Sequence, residues 1–130
     1  MSMQSNPVNW FEIYVQDIKR AQKFYQTVLN VEMIKLDVPT EGDEVFQMVS
    51  FPYVENGSNA TGALVQFAGV PSGGNSTMVY FTCEDCATEQ SRVEGAGGQI
   101  MKEKFAIGPH GFCSICIDTE GNAFGLHSMK

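Results

Sequence analysis

Trp10 to Asp17 reads W-F-E-I-Y-V-Q-D, an alternation that puts Phe11, Ile13 and Val15 on one side and Trp10, Glu12 and Tyr14 on the other. Period-two alternation predicts a half-buried strand, and the closing Asp is a residue type that caps helix N-termini. Sixty-eight positions later the pattern returns in Met78 to Asp85, M-V-Y-F-T-C-E-D, where Val79 and Phe81 alternate with Met78, Tyr80 and Thr82. A helix is predicted after each strand. The first carries Ile18, Ala21, Tyr25, Val28 and Leu29 on one face and stops at Asn30, which tolerates the left-handed cap. The second is weaker, with Cys86, Val93 and Ala96 as its apolar positions and Gly98 standing where Asn30 stands.

Three strand-like runs follow each helix: Val31 to Leu36, Glu44 to Phe51 and Gly62 to Phe67, then Gln99 to Phe105, Gly111 to Asp118 and Asn122 to His127. Asn56-Gly57 and Glu120-Gly121-Asn122 supply the turns between the last two strands of each set. Each half is therefore βαβββ, and the fold class is α+β, two tandem modules forming a cupped mixed sheet. Module one covers about 7–68, a breaker-rich linker 69–76, and module two about 77–128. Halves of this size are marginal alone and gain by burying their apolar faces together, which makes one domain of the 130 residues.

Charge and composition narrow the partners. A net charge of -7 repels a phosphate backbone, so no nucleic acid is expected, and no apolar run approaches the length that crosses a bilayer. The opening MSMQSNP carries no basic or apolar export signal, so the expectation is a cytoplasmic protein with reduced cysteines. The N-x-S/T triplets beginning at Asn56, Asn59 and Asn75 then read as polar turns, and Glu41 to Glu44 as a solvated turn face.

Three segments together, N-P-V-N-W-F-E-I-Y-V-Q-D at 6–17, F-Y-Q-T-V-L at 24–29 and D-T-E-G-N-A-F-G-L-H-S at 118–128, resemble the vicinal oxygen chelate superfamily. This superfamily includes glyoxalase I, bleomycin-resistance proteins and extradiol dioxygenases. The chain is most similar to a bacterial group related to lactoylglutathione lyase. The resemblance implies a sheet cupped around a small-molecule cavity, and a homodimer in which the cavity is built by one chain or shared by two. Metal-dependent members place one His or Glu ligand on each of four strands; the matching positions here read Trp10, Gln66, Met78 and Gly125. Tight transition-metal binding needs imidazole, carboxylate or thiolate donors, so no metal and no cofactor are expected, and glyoxalase I and dioxygenase chemistry are disfavoured.

Alternation then selects the side chains facing the cup: Trp10, Glu12 and Tyr14; Met78, Tyr80 and Thr82; Leu64 and Gln66; Ala123, Gly125 and His127. Aromatic walls with a few polar groups suit a ligand cavity. If Glu12, Tyr80 and His127 are neighbours, they suit metal-free proton abstraction beside a carbonyl. The Glu would orient the imidazole as acid or base, and Tyr80 would donate to the oxyanion. The structural alternative is a Glu12–His127 pair that holds two strands together. Ligand contacts are expected from Trp10, Tyr14, Gln66, Met78 and from His110 on a glycine-flanked loop.

Two C-x2-C pairs, Cys83/Cys86 and Cys113/Cys116, superficially suggest zinc. The second pair lies within a continuous strand, however, where a separation of three sends the thiols to opposite faces, so the cysteines read as buried hydrophobes. No nucleotide loop or nucleophile elbow is present. Two functions remain open: a metal-independent isomerase or lyase on a small carbonyl compound, or a module that binds or sequesters a small molecule without changing it.

Overall fold

The computed structural model describes residues 6–36 and 46–130. The first module holds β1 (Trp10–Tyr14), α1 (Ile18–Leu29), β2 (Ile34–Leu36), β3 (Phe46–Ser50) and β4 (Thr61–Phe67). The second repeats the order in β5 (Tyr80–Thr82), α2 (Cys86–Val93), β6 (Gln99–Ala106), β7 (Phe112–Ile117) and β8 (Ala123–Ser128), with one 3-10 turn at Gly108–His110. Each module makes a four-stranded mixed sheet, ordered β1-β4-β3-β2 and β5-β8-β7-β6. In each, the first strand runs parallel to the last and the remaining pairs are antiparallel. The expected βαβββ repeat is therefore present.

Local chemistry explains the helix ends. Asp17 caps α1 by accepting from the Arg20 amide at 3.1 Å, and Asn30 closes it at φ 55. Asp85 caps α2 by accepting from the Ala87 amide. The left-handed closing residue after α2 is Gly97 at φ 101, one position before the expected Gly98. Several strands are also shorter than the alternation suggests: β1 ends at Tyr14 because Gln16 and Asp17 turn to enter α1, and β5 spans only Tyr80–Thr82. Glu44, Val45 and the Glu41 to Glu44 turn lie outside the described residues, as do residues 1–5 of the opening segment.

Both helices pack on one side of the paired sheets, and the core belongs to both modules. Tyr25 of α1 is fully buried, with ring centroids 5.0 to 5.7 Å from Phe24, Phe51, Phe81 and Phe124. Phe81 in turn meets Phe11 and Phe51. Edge-to-face and tilted ring packing of this kind adds to the area each ring buries. Aromatic side chains from both halves thus share one core, as two marginal modules require.

The register fixes which residues share a face. Ile13 pairs with Leu64 and Tyr14 with Val65. Leu64 therefore belongs to the helix side, where it is fully buried in the core, and Gln66 lies on that side with it. The other face of β4 carries Thr61, Ala63, Val65 and Phe67, of which Ala63 and Val65 are also fully buried. This corrects the expectation that Leu64 and Gln66 face the cup. An unbroken apolar run such as A-L-V leaves its phase ambiguous in sequence, because both faces read alike.

Candidate functional site

The two sheets meet at a seam between β1 and β5, the unpaired edges of each. Phe11 of early β1 packs on Phe81, while late β1 approaches the linker and the residues entering β5, so the two strands run in opposite directions.

On the helix side, the 118–122 turn clamps the seam. The Glu120 side chain is fully buried, and its carboxylate accepts from the Gln16 and Asp17 amides at 2.9 Å. It also accepts from Arg20 Nε at 2.7 Å and Nη2 at 3.0 Å, and from the Thr119 hydroxyl. These donors surround the start of α1, where a carboxylate also meets the positive end of the helix dipole. Burial would raise the Glu120 pKa, but Arg20 and the surrounding N–H and O–H donors outweigh it and hold the group at about 2.

Asp118 Oδ1 accepts from the amides of Glu120 and Asn122, and its Oδ2 accepts from the Tyr25 hydroxyl at 2.6 Å. Burial raises the Asp118 carboxyl despite these bonds, and burial followed by the Asp118 charge pushes Tyr25 well above its ordinary value. Asn122 donates to the Tyr14 carbonyl at 3.0 Å and accepts from the Gly73 amide at 2.6 Å, tying β1 to the linker.

Past this clamp, under the linker, lies a cavity of about 200 Å³. Late β1 (Glu12, Ile13, Tyr14), the linker, Val79 and the start of β8 line it. The Tyr14 hydroxyl donates to Glu12 Oε1 at 3.3 Å, and burial, then the Glu12 charge, raises the phenol's pKa. Asn75 is committed to the walls: its amide nitrogen donates to the carbonyls of Thr77 and Ala123, and its oxygen accepts from the Ala123 amide. The Ser72 hydroxyl donates to the Glu120 carbonyl at 2.7 Å.

The structure places the residues expected from sequence at several different points. Glu12 and Tyr14 line the cavity. Trp10 stands at the other end of β1, 40% exposed, and Tyr80 lies 49% exposed against Gly125. Met78 precedes β5 and is half-buried. Gln66 is absent from the cavity; its Oε1 accepts from the Ile18 amide at 2.9 Å and satisfies an orphan donor of α1.

His127 and His110 do come together, in a different pairing from the expected one. His127 Nε2 donates to the His110 carbonyl at 2.7 Å, which fixes the proton on Nε2 because a carbonyl can only accept. Gly111 beside it, at φ 100, has no room for a Cβ against the Ser128 carbonyl, so this position requires glycine. Among the described residues no hydrogen bond or ion pair joins Glu12 to His127. β5 stands between β1 and β8, so a whole strand separates the two. Alternation reveals a shared face but not adjacency, so neither the Glu12–His127 pair nor the three-residue acid–base set forms. Asn75, read in the sequence as linker, and Thr77, read as the entry to module two, also line the cavity; their one signal was polar side chains at a short connection between modules.

The four positions expected to match metal ligands make no donor set. Gln66 serves α1, Gly125 has no side chain, and the Trp10 and Met78 side chains offer no hard donor. Among the described residues, no three His, Cys, Asp or Glu side chains converge. Cys113 and Cys116 lie on opposite faces of β7, paired with His127 and Phe124 respectively. All four cysteines are buried and unpaired, and burial, followed by the Glu89 charge, pushes the Cys83 thiol up to about 12.

The sequence model of the Glyoxalase/Bleomycin resistance protein/Dioxygenase superfamily matches residues 8–126. The chain belongs to this superfamily. Its curated relatives include CFP32 of Mycobacterium bovis, provisionally named a glyoxylase, which is 29% identical over 123 residues, 91% of this chain and 44% of that protein. The chain thus spans less than half the length of the curated relatives it matches. Among solved superfamily structures, glyoxalase I from Zea mays superposes with TM-score 0.73 at 21% identity, over 95% of this chain and 46% of the maize enzyme. A single-length domain from Frankia sp. superposes with TM-score 0.69 at 14% identity, over 98% of this chain and 100% of that one. These likenesses show the superfamily fold. No helix among the described residues is long and apolar enough to cross a membrane.

Proposed function

We propose that this superfamily member is a small-molecule-binding module that holds its ligand in the seam cavity without transforming it. The observation that carries this reading is the cavity under the linker. Its polar wall groups are largely committed to the walls, while Glu12 keeps an oxygen free of protein partners among the described residues. Preorganised walls with few spare polar groups are characteristic of binding sites. Among the described residues no hydrogen bond joins Glu12, Tyr80 and His127 to one another, which weighs against the acid–base set expected of these three.

A fragment screen followed by amide NMR tests it. Ligands should shift resonances of residues 12–14 and 71–77 and be recovered unchanged by mass spectrometry. Shifts confined to other surfaces would defeat the proposal.

One observation favours the metal-independent isomerase or lyase. The Tyr14 hydroxyl bonded to Glu12 sets a proton donor beside a carboxylate base. Deuterium exchange at the carbon beside a ketone, catalysed by the wild type and lost in Glu12→Gln, would establish that reading instead.

A further inference from the structure

The cavity's spare bonding capacity specifies a charge. We infer that the seam cavity takes a small cationic amine with a short apolar body. The inference rests on the binding reading above and adds the ligand class to it. Among the cavity-lining residues Glu12 is the one formally charged side chain, with no Lys, Arg or His beside it.

The lining's other polar side chains are engaged: Tyr14 donates to Glu12, Ser72 to the Glu120 carbonyl, and Asn75 and Asn122 brace the walls. What remains is Glu12 Oε2, an acceptor, and the Thr77 hydroxyl, which can donate or accept. A ligand anion would meet the carboxylate with no compensating cation and gain no hydrogen bond from it. A neutral donor satisfies Oε2, but an ammonium does so with a charge-assisted bond of roughly twice the strength.

The rest of the lining is mostly apolar, with Pro71, Ala123 and the strand edges at Ile13 and Val79 contributing to it, so the amine's body is hydrocarbon. The volume of about 200 Å³ falls below that of drug-sized sites, roughly 300 Å³ and more, and admits one ring with a short arm. Glu12 is exposed to solvent, so an ammonium can keep part of its hydration there while the ring enters.

The test compares three near-isosteric probes, benzylamine, benzyl alcohol and benzoate, titrated into the full chain at neutral pH and followed by amide NMR. Benzylamine should bind most tightly, with shifts at residues 12–14 and 71–77, and benzoate should not bind. Glu12→Gln should weaken benzylamine about five-fold or more and leave benzyl alcohol nearly unchanged. Tyr14→Phe, which leaves the carboxylate in place, should keep the amine preference and serves as the control for wall shape.

Benzyl alcohol or benzoate binding as well as benzylamine would overturn the cationic assignment while leaving the cavity as a binding site. Undiminished benzylamine affinity in a folded Glu12→Gln protein would do the same. Failure of all three probes to shift the cavity resonances would overturn both the assignment and the binding reading beneath it.

Discussion

Two carboxylates at one seam have opposite circumstances. Glu120 is buried and accepts from Gln16, Asp17, Arg20 and Thr119, whereas Glu12, around the same strand, is exposed and among the described residues accepts from Tyr14 alone. The first is saturated by its own chain and the second is not. Saturation marks structure, since every bond made inward leaves none for a ligand. The D-T-E-G-N motif that signals the superfamily therefore works as a clamp between modules, and the group available for recognition lies outside it.

Removing the clamp should produce the largest effect. Glu120→Gln leaves Arg20 and two amides without their anion and should cost about 3 kcal/mol in denaturant unfolding. The acid limb gives a second reading of the same contrast. Glu120 titrates at about 2 in the folded chain against an ordinary 4.5, so its contribution is complete above pH 4.5 and disappears as pH falls toward 2. Unfolding curves across that window should be steeper for the wild type than for Glu120→Gln. Asp118, whose pKa is raised, works in the opposite sense and is common to both proteins.

Tyr25→Phe comes next. It keeps the ring in the core but deprives the buried Asp118 of its hydroxyl donor, an expected loss of about 2 kcal/mol. Gln66→Ala should cost about 1 kcal/mol through the uncapped Ile18 amide and leave benzylamine binding unchanged, which separates capping from the ligand role expected of it. The smallest change is expected at Glu12 itself: Glu12→Gln should alter stability by less than about 0.5 kcal/mol, as surface substitutions usually do. A large loss there would erase the distinction between the two carboxylates.

The repeat was legible because each element carries its own local signal: alternation in β1, Asp17 and Asp85 as caps, Asn30 as a stop. These depend on residues near in sequence. The clamp was only half legible, since its motif was visible but its partners Arg20 and Tyr25 lie 100 and 93 positions away. The site was less legible still. Glu12 and Tyr14 follow from the phase of β1, but the phase of β4 was hidden by an apolar run. Whether Glu12 and His127 touch depends on the order of strands across the seam. Part of the cavity wall came from the linker and the residue after it, where Asn75 and Thr77 gain meaning only when the second module meets the first.

Gly125 sits beneath the Tyr80 ring, and a methyl group at that position would overlap the ring carbons. A side chain of any kind at 125 therefore requires Tyr80 to be displaced or replaced as well. Tyrosine and glycine thus form a matched pair across β5 and β8, ring over bare backbone, so that a change at either position is felt at the other.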